Sequence, residues 1–87
     1  MDTRKLEALL TAVELGSFTR AAEVLGYTQS GLTHMMNSLE KEVGFPLLQR
    51  SNKGIQLTAE GEEVLADIRE LVMLNDRLEQ KFSRIRG

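Results

Sequence analysis

Three glycines divide the first half of this 87-residue chain into short segments that must pack against one another. Gly16, Gly26 and Gly44 each follow a run whose apolar residues recur every three or four positions, the period of a helix with one buried face. Glycine tolerates the left-handed conformation that commonly follows the last turn of a helix. Ser17 and Thr28 come shortly after two of these glycines, and both residue types are preferred N-caps. The sequence therefore predicts three short helices, the second and third joined by a tight turn.

The stretch after Pro46 has a different pattern. Leu47–Arg50 and Ile55–Thr58 are short and extended, and the polar segment between them ends in glycine. This pattern predicts two strands joined by a turn. Beyond Thr58, a further N-cap residue, nothing interrupts a helix until about Arg86.

These elements predict a mainly α chain with a winged helix-turn-helix, three helices plus a two-stranded β wing, followed by a long helix. We assign residues 1–58 to the winged helix-turn-helix domain, with the helix-turn-helix at about 18–42 and the wing at about 47–58. Residues 59–87 then form a linker or dimerisation helix. In a helix-turn-helix that binds DNA, the second helix of the motif, here the third of the chain, enters the major groove.

The third predicted helix has two contrasting faces. At 100° per residue its apolar residues, from Leu32 to Val43, share one side. The opposite side carries four hydrogen-bonding residues, Ser30, Thr33, His34 and Asn37. None of them is acidic. Such a face can meet base edges or phosphates without repelling DNA, whereas an ordinary solvated face is rich in Glu and Lys. In the first turn, Gln29 can bond bidentately to adenine, and Thr28 with the helix N-terminus can hold a phosphate.

Arg50 and Lys53 flank the turn of the predicted wing. A loop with two cations beside such a helix is placed to reach phosphates along an adjacent groove. The net charge of −2 does not oppose this interpretation, because residues 1–58 carry six bases and six acids and the excess acid lies in residues 59–87. His34 is compatible with a DNA contact or with a solvated surface histidine, and the residues alone leave both open.

The last predicted helix carries an apolar heptad whose steps alternate three and four residues. Its predicted pairing residues are Val64, Ile68, Leu71, Asn75, Leu78, Phe82 and Ile85. A helix of about 27 residues spans roughly 40 Å, more than a small head can cover. We therefore expect a second copy of the chain to cover this stripe, giving a homodimer. Asn75 is either a buried pair that fixes the register or an exposed point where the helices diverge.

Composition limits the other functions. The chain has no cysteine and one histidine, which leaves little material for a metal site or a catalytic constellation. We expect no enzyme activity, no metal and no cofactor within these residues. There is no apolar run of 18 residues and no basic-then-apolar leader, so we expect no membrane association and a cytoplasmic location.

A close resemblance to the helix-turn-helix of LysR-type transcriptional regulators is carried by residues 16–29, which read Gly-Ser-Phe-Thr-Arg-Ala-Ala-Glu-Val-Leu-Gly-Tyr-Thr-Gln. It continues through Leu32-Thr33, Leu39-Glu40, 42–48, Arg50 and 57–61, so it covers essentially the whole chain. The resemblance implies a bacterial transcription factor whose head binds promoter DNA and whose long helices pair antiparallel. It also implies a sensor domain for a small-molecule co-inducer. That domain is absent here, which suggests an isolated DNA-binding fragment.

On this resemblance, the residues that match the family's base and backbone contacts are Gln29, Ser30, Thr33 and His34, and those that match its wing contacts are Arg50 and Lys53. The chain departs from the family pattern at Ser30, Gly31 and His34, where proline or alanine, alanine, and arginine are common. Glycine inside a helix costs about 0.5–1 kcal/mol relative to alanine. At position 34 the chain has a histidine where the family commonly has an arginine, which is always charged. The expected contact of this position with DNA is therefore weaker. Two alternatives are a winged helix that serves as a protein-interaction module and a regulator head of the molybdate-responsive ModE type.

Overall fold

The computed structural model of the protein describes residues 2–87, which form four helices and one two-stranded sheet. In chain order the elements are α1 (Thr3–Leu15), α2 (Phe18–Leu25), α3 (Gln29–Val43), β1 (Leu48–Ser51), β2 (Gly54–Leu57) and α4 (Ala59–Arg86). The predicted mainly α winged helix-turn-helix followed by a long helix is confirmed. We call residues 2–58, which hold α1 to β2, the head.

The starts of α2, α3 and α4 and the ends of α1, α2 and α3 lie at the residues that the sequence pattern indicates. The N-caps, whose side-chain oxygens accept a hydrogen bond from a first-turn backbone N–H, are Asp2, Ser17, Thr28 and Thr58. The glycines that end α1, α2 and α3 in the left-handed conformation are Gly16, Gly26 and Gly44. A side chain at these three positions would strain the backbone, so the helix lengths are fixed locally.

The three helices of the head enclose a core of leucines and alanines. Its largest fully buried side chains are Leu9, Leu32, Leu39 and Leu47. Ala12 in α1 and Ala21 in α2 are 0% exposed. Because these side chains are small, α1 and α2 can cross closely, and the turn after α2 can then place α3 across them.

The wing is an antiparallel hairpin displaced by one residue from the predicted strands: β1 lies one residue later and β2 one residue earlier. Leu48 stands opposite Leu57. Leu47 does not join β1 because it is buried and its backbone N–H donates to the carboxylate of Glu40. Thr58 does not join β2 because it is the N-cap of α4.

The wing is anchored against the turn between α1 and α2. The N–H of Ile55 donates to the carbonyl oxygen of Gly16 over 3.1 Å. The neighbouring Gly54 has a φ of +102°, and a Cβ at that position would lie 2.4 Å from the same oxygen. Glycine is therefore required at Gly54, and the backbone itself fixes the position of the wing.

The helix α4 packs on the head only at its N-terminal half. Gly61 and Val72 are buried, and Val64 and Ile68 are half-buried against the core. The sequence prediction had not placed Val72 in the core. Beyond Val72 the apolar side chains of α4 are largely exposed. No described helix is long and apolar enough to cross a membrane.

Candidate nucleic-acid interface

The helix α3 presents its predicted polar face to solvent. Gln29, Ser30, His34 and Asn37 are exposed, and Thr33 is half-buried. The opposite face is committed to the core through Leu32, Met36 and Leu39. The face therefore has the orientation that reading a major groove requires, with side chains of both hydrogen-bonding polarities facing outward.

The N-terminal end of α3 is organised by Thr28. Its Oγ1 accepts a hydrogen bond from the N–H of Gly31 over 3.0 Å and lies 3.4 Å from the Oγ of Ser30. A Cβ at Gly31 would lie 2.9 Å from this oxygen, so the departure from alanine at this position fits the cap. The remaining N–H groups of the first turn point along the helix axis, where an anion is favoured.

Two bases of the head, Arg4 and Lys5, are paired with carboxylates. Lys5 in α1 donates from Nζ to the Oγ of Ser38 and to Glu42, which ties α1 to α3. Arg4 donates to Asp2 over 3.1 Å. This hydrogen bond lowers the pKa of Asp2 and raises the pKa of Arg4 from their ordinary values.

The other four bases of the head, Arg20, Lys41, Arg50 and Lys53, form no ion pair with any residue from 2 to 87. All four are exposed. They lie on α2, on the last turn of α3 and on the wing. Unpaired bases of this kind are available to phosphates.

Arg50 is held beside α3 by an aromatic ring. Its guanidinium carbon lies 4.9 Å from the centroid of the Phe18 ring, within the range of a cation–π contact. An open groove between the wing and the N-terminal ends of α2 and α3 is lined by both Arg50 and Gln29, together with Ser17 and Thr19. The structure therefore joins the first turn of α3 and the wing in one surface.

The remaining predicted contact residues lie outside this groove. Lys53 is at the tip of the wing, and His34 and Asn37 follow further along α3. The groove residues Ser17 and Thr19 were missed from the sequence. A hydroxyl-rich first turn of α2 was the available signal, but its proximity to Gln29 depends on the tertiary fold.

Glu40 is a second residue that the sequence did not reveal as important to the site. Its Oε2 accepts hydrogen bonds from the backbone N–H of Leu47 over 2.6 Å and from that of Leu48 over 2.9 Å. One carboxylate on α3 thus holds the start of β1. Because the wing carries Arg50 and Lys53, this contact of Glu40 also positions those two bases relative to the polar face of α3.

Comparison with known proteins decides the family. Residues 3–62 match the family described as bacterial regulatory helix-turn-helix protein, lysR family. The chain belongs to the LysR family. This LysR-family assignment confirms the resemblance carried by residues 16–29 and decides against a ModE-type head.

Individual relatives agree. The chain is 37% identical over 85 residues to the HTH-type transcriptional regulator BudR of Raoultella terrigena, covering 98% of this chain and 29% of BudR. It is 38% identical over 77 residues to the regulator TcbR of Pseudomonas sp. (strain P51), covering 88% of this chain and 26% of TcbR. The chain thus spans less than a third of these curated LysR relatives.

Solved structures match over the full length of the chain. A complex of the CbnR DNA-binding domain with DNA is similar with a TM-score of 0.86 and 33% identity, covering 100% of both chains. A complex of the BenM DNA-binding domain with catB site 1 DNA is similar with a TM-score of 0.89 and 31% identity, covering 100% of this chain and 98% of that one. These LysR neighbours confirm the winged helix-turn-helix fold of the head.

Proposed function

We propose that this chain binds double-stranded promoter DNA in a sequence-specific manner, as the DNA-binding part of a bacterial LysR-type transcriptional regulator. The observation that carries the proposal is the outward, acid-free polar face of α3 beside the unpaired bases of the wing. The neighbours of this fold that were solved as DNA complexes support it, because they are similar over the whole chain.

The proposed roles follow from position on the surface. Gln29 and Thr33 read base edges from α3, with Ser30, His34 and Asn37 completing the face toward bases or backbone. Thr28 and the first-turn N–H groups hold a phosphate at the N-terminus of the helix. Arg50 and Lys53 contact phosphates beside the major groove and carry affinity without sequence preference.

We further propose that two copies pair through α4. The helix is 28 residues long, about 42 Å at 1.5 Å per residue, and its second half has no contact with the core of its own head. Leu78 is 45% exposed and Phe82 50% exposed. A helix with such a face is marginal alone in water, so a second chain covers it. Two heads held by a pair of helices would read two half-sites spaced by whole helical turns of DNA.

The proposed activity uses only the chain's own side chains and backbone. We propose that any small-molecule co-inducer binds a part of the regulator outside these 87 residues. We also propose that the regulator is located in the cytoplasm, with the promoter DNA. The proposed activity includes no chemical reaction. The curated relatives are named as transcriptional regulators, which supports a role without a chemical reaction.

Selection of bound duplexes from a random pool tests the proposal and yields half-site sequence and spacing together. We expect Gln29→Ala to change the preferred bases. We expect Lys53→Ala to weaken specific and random duplexes about equally. Arg69→Ala, which removes a cation from α4, is the matched control and should leave the binding to DNA near wild type.

Two results would contradict the proposal. The first is no enrichment of any sequence, together with binding that does not weaken as salt is raised. A chain that neutralises phosphates loses affinity with a log–log slope near −0.9 for each phosphate contacted. The second is an equal loss on specific and random DNA for Gln29→Ala, which would remove Gln29 from the base-reading role. A protein-interaction module would give the first result.

A further inference from the structure

His34 is the only histidine of the chain, which also has no cysteine. It lies on α3, and its side chain is exposed. An imidazole ordinarily exchanges its proton between about pH 6 and 7, whereas lysine, arginine and carboxylates keep their charge over that range. The proposed DNA-binding surface therefore contains one side chain of a type that changes its charge near neutral pH.

The position of His34 on α3 turns its side chain away from the core. At 100° per residue it lies nearly opposite the buried apolar residues of this helix. Ser30 and Asn37, one turn before and one turn after it, and Lys41, two turns after it, fall with it within about 60° of the helix surface. We call these four residues the outer strip of α3. All four are exposed, so a duplex that meets the polar face of α3 meets the outer strip.

The side chain of His34 forms no ion pair with any residue from 2 to 87. Its nearest neighbours along the helix, residues 30–33 and 35–38, are all uncharged. The two acids of α3 are engaged elsewhere, because Glu40 accepts hydrogen bonds from the start of β1 and Glu42 pairs with Lys5. A positive charge gained at His34 is therefore free to attract an acceptor outside the chain.

The elements packed against α3 supply charges that do not vary near neutral pH. From α1, Lys5 reaches the side of α3 next to the outer strip, where its Nζ donates to the Oγ of Ser38 over 2.9 Å. The helix α2 carries Arg20 and Glu23, both exposed and neither in an ion pair with residues 2–87. The two bases of the wing are arginine and lysine. Residues of these types titrate well outside the range between about pH 5.5 and 8.

We propose that His34 contacts DNA through its protonated imidazole, which donates a hydrogen bond to an acceptor of the duplex and makes the affinity for DNA rise as the pH falls. The inference rests on the proposed DNA binding and concerns the regulation of that same surface. Two acceptors of the duplex have the required chemistry, a phosphate oxygen and the O6 and N7 edge of guanine. Both bind a charged donor more strongly than a neutral one.

The direction of the pH effect follows from the linkage between proton and DNA. Contact with an acceptor stabilises the charged imidazole, so the complex holds the proton more tightly than the free chain does. The gain in affinity is complete where the free chain is already protonated, and it is lost as the pH rises until the complex also releases its proton. One charged contact at an exposed site changes affinity about 2- to 5-fold. A duplex with two half-sites, contacted by two heads, should gain about 4- to 25-fold.

Fluorescence anisotropy titrations at about pH 8 and about pH 5.5, at constant ionic strength, test the inference with a duplex from the random-pool selection. Wild type should bind more tightly at the lower pH. His34→Gln keeps a neutral hydrogen-bonding side chain and should bind about equally at both pH values. His34→Arg is always charged and should bind at both pH values about as tightly as wild type does in acid.

Lys41→Gln is the matched control, because it removes a constant charge from the same outer strip. It should weaken binding at both pH values and keep the wild-type ratio between them. Urea unfolding separates the contact from an effect on the fold. Because His34 has no ionic partner within residues 2–87, His34→Gln should change the free energy of unfolding by the same amount at both pH values.

The salt dependence of wild-type binding distinguishes the two acceptors. With a phosphate as the acceptor, the log–log slope should steepen by about 0.9 per head in acid, on specific and random duplexes alike. With guanine as the acceptor, the slope should stay constant, and the gain in acid should be confined to duplexes that keep one particular guanine of the half-site.

Equal affinity of wild type at the two pH values, with sequence-specific binding retained at about pH 8, would overturn this inference and leave the proposed function intact. The same consequence would follow if His34→Gln kept the wild-type ratio, because another group, such as an α-amino group, would then carry the pH effect. Absence of sequence-specific binding at both pH values would overturn the proposed function and this inference together.

Discussion

Removal of the Glu40 carboxylate should loosen the wing from α3. In the folded chain this group accepts hydrogen bonds from the N–H groups of Leu47 and Leu48, at 2.6 and 2.9 Å. Hydrogen bonds to a charged group contribute about 1.5–3 kcal/mol each, and the lower end applies because the site is partly open to water. We therefore expect Glu40→Ala to lower the free energy of unfolding by about 3 kcal/mol. Glu40→Gln keeps an acceptor without the charge and should lose about 1 kcal/mol.

Urea unfolding followed by circular dichroism, at one fixed protein concentration because pairing adds stability, measures these losses. Glu42→Ala is the matched control. It removes a carboxylate two residues away that pairs with Lys5 near the surface, and we expect a loss below about 1 kcal/mol. A loss below about 0.5 kcal/mol for Glu40→Ala, or equal losses for the alanine and glutamine variants, would refute the argument that two charge-assisted bonds hold β1.

Three further predictions follow from single contacts. Gly61→Ala places a Cβ 2.5 Å from the carbonyl oxygen of Leu47, so it should lower the free energy of unfolding by about 1–3 kcal/mol in urea; wild-type stability would show that this backbone moves freely. Asp2→Ala should lower the melting temperature near neutral pH but not in acid, because the pKa of Asp2 is lowered on folding. The contribution of Asp2 to stability is complete above the ordinary carboxyl pKa and is lost as the pH falls through the lowered pKa. Phe18→Leu should weaken binding to random DNA about two- to fivefold by freeing Arg50, whereas Phe18→Tyr should bind like wild type in a fluorescence anisotropy titration.

The parts of the fold that were predictable from sequence are those set by local chemistry. Each helix end is specified by a hydroxyl or carboxylate cap or by a glycine at positive φ, and such signals act within four residues. The outward face of α3 was predictable for a similar reason, because a helix that buries Leu32, Met36 and Leu39 must turn Ser30 and Asn37 away.

The features that sequence reasoning missed all depend on contacts between distant segments. In the sequence Glu40 resembles any surface acid. Its role becomes visible only in the fold, where the start of β1 lies beside it. Val72 lies outside the predicted heptad, and it is buried because α4 packs on the core of the head. The strand boundaries shifted by one residue for a related reason: the backbone of Leu47 is engaged by α3 and by the N-cap of α4. The periodicity of one element cannot show which neighbouring element will form a hydrogen bond with its backbone.

The small number of unpaired bases explains why two heads are needed in the proposed function. Arg20, Lys41, Arg50 and Lys53 can neutralise at most four phosphates per head, a log–log salt slope of about −3.6 for one head and about −7 for two. The acids at the start of α4 repel DNA close to the head. One head alone is therefore only weakly attracted to DNA of random sequence. Linking two such heads turns the second contact into an intramolecular step, and affinity then rises only where both half-sites are present at the right spacing. On this reasoning a weakly charged head favours discrimination between sites, because binding depends on the α3 face and on the geometry of α4 more than on charge.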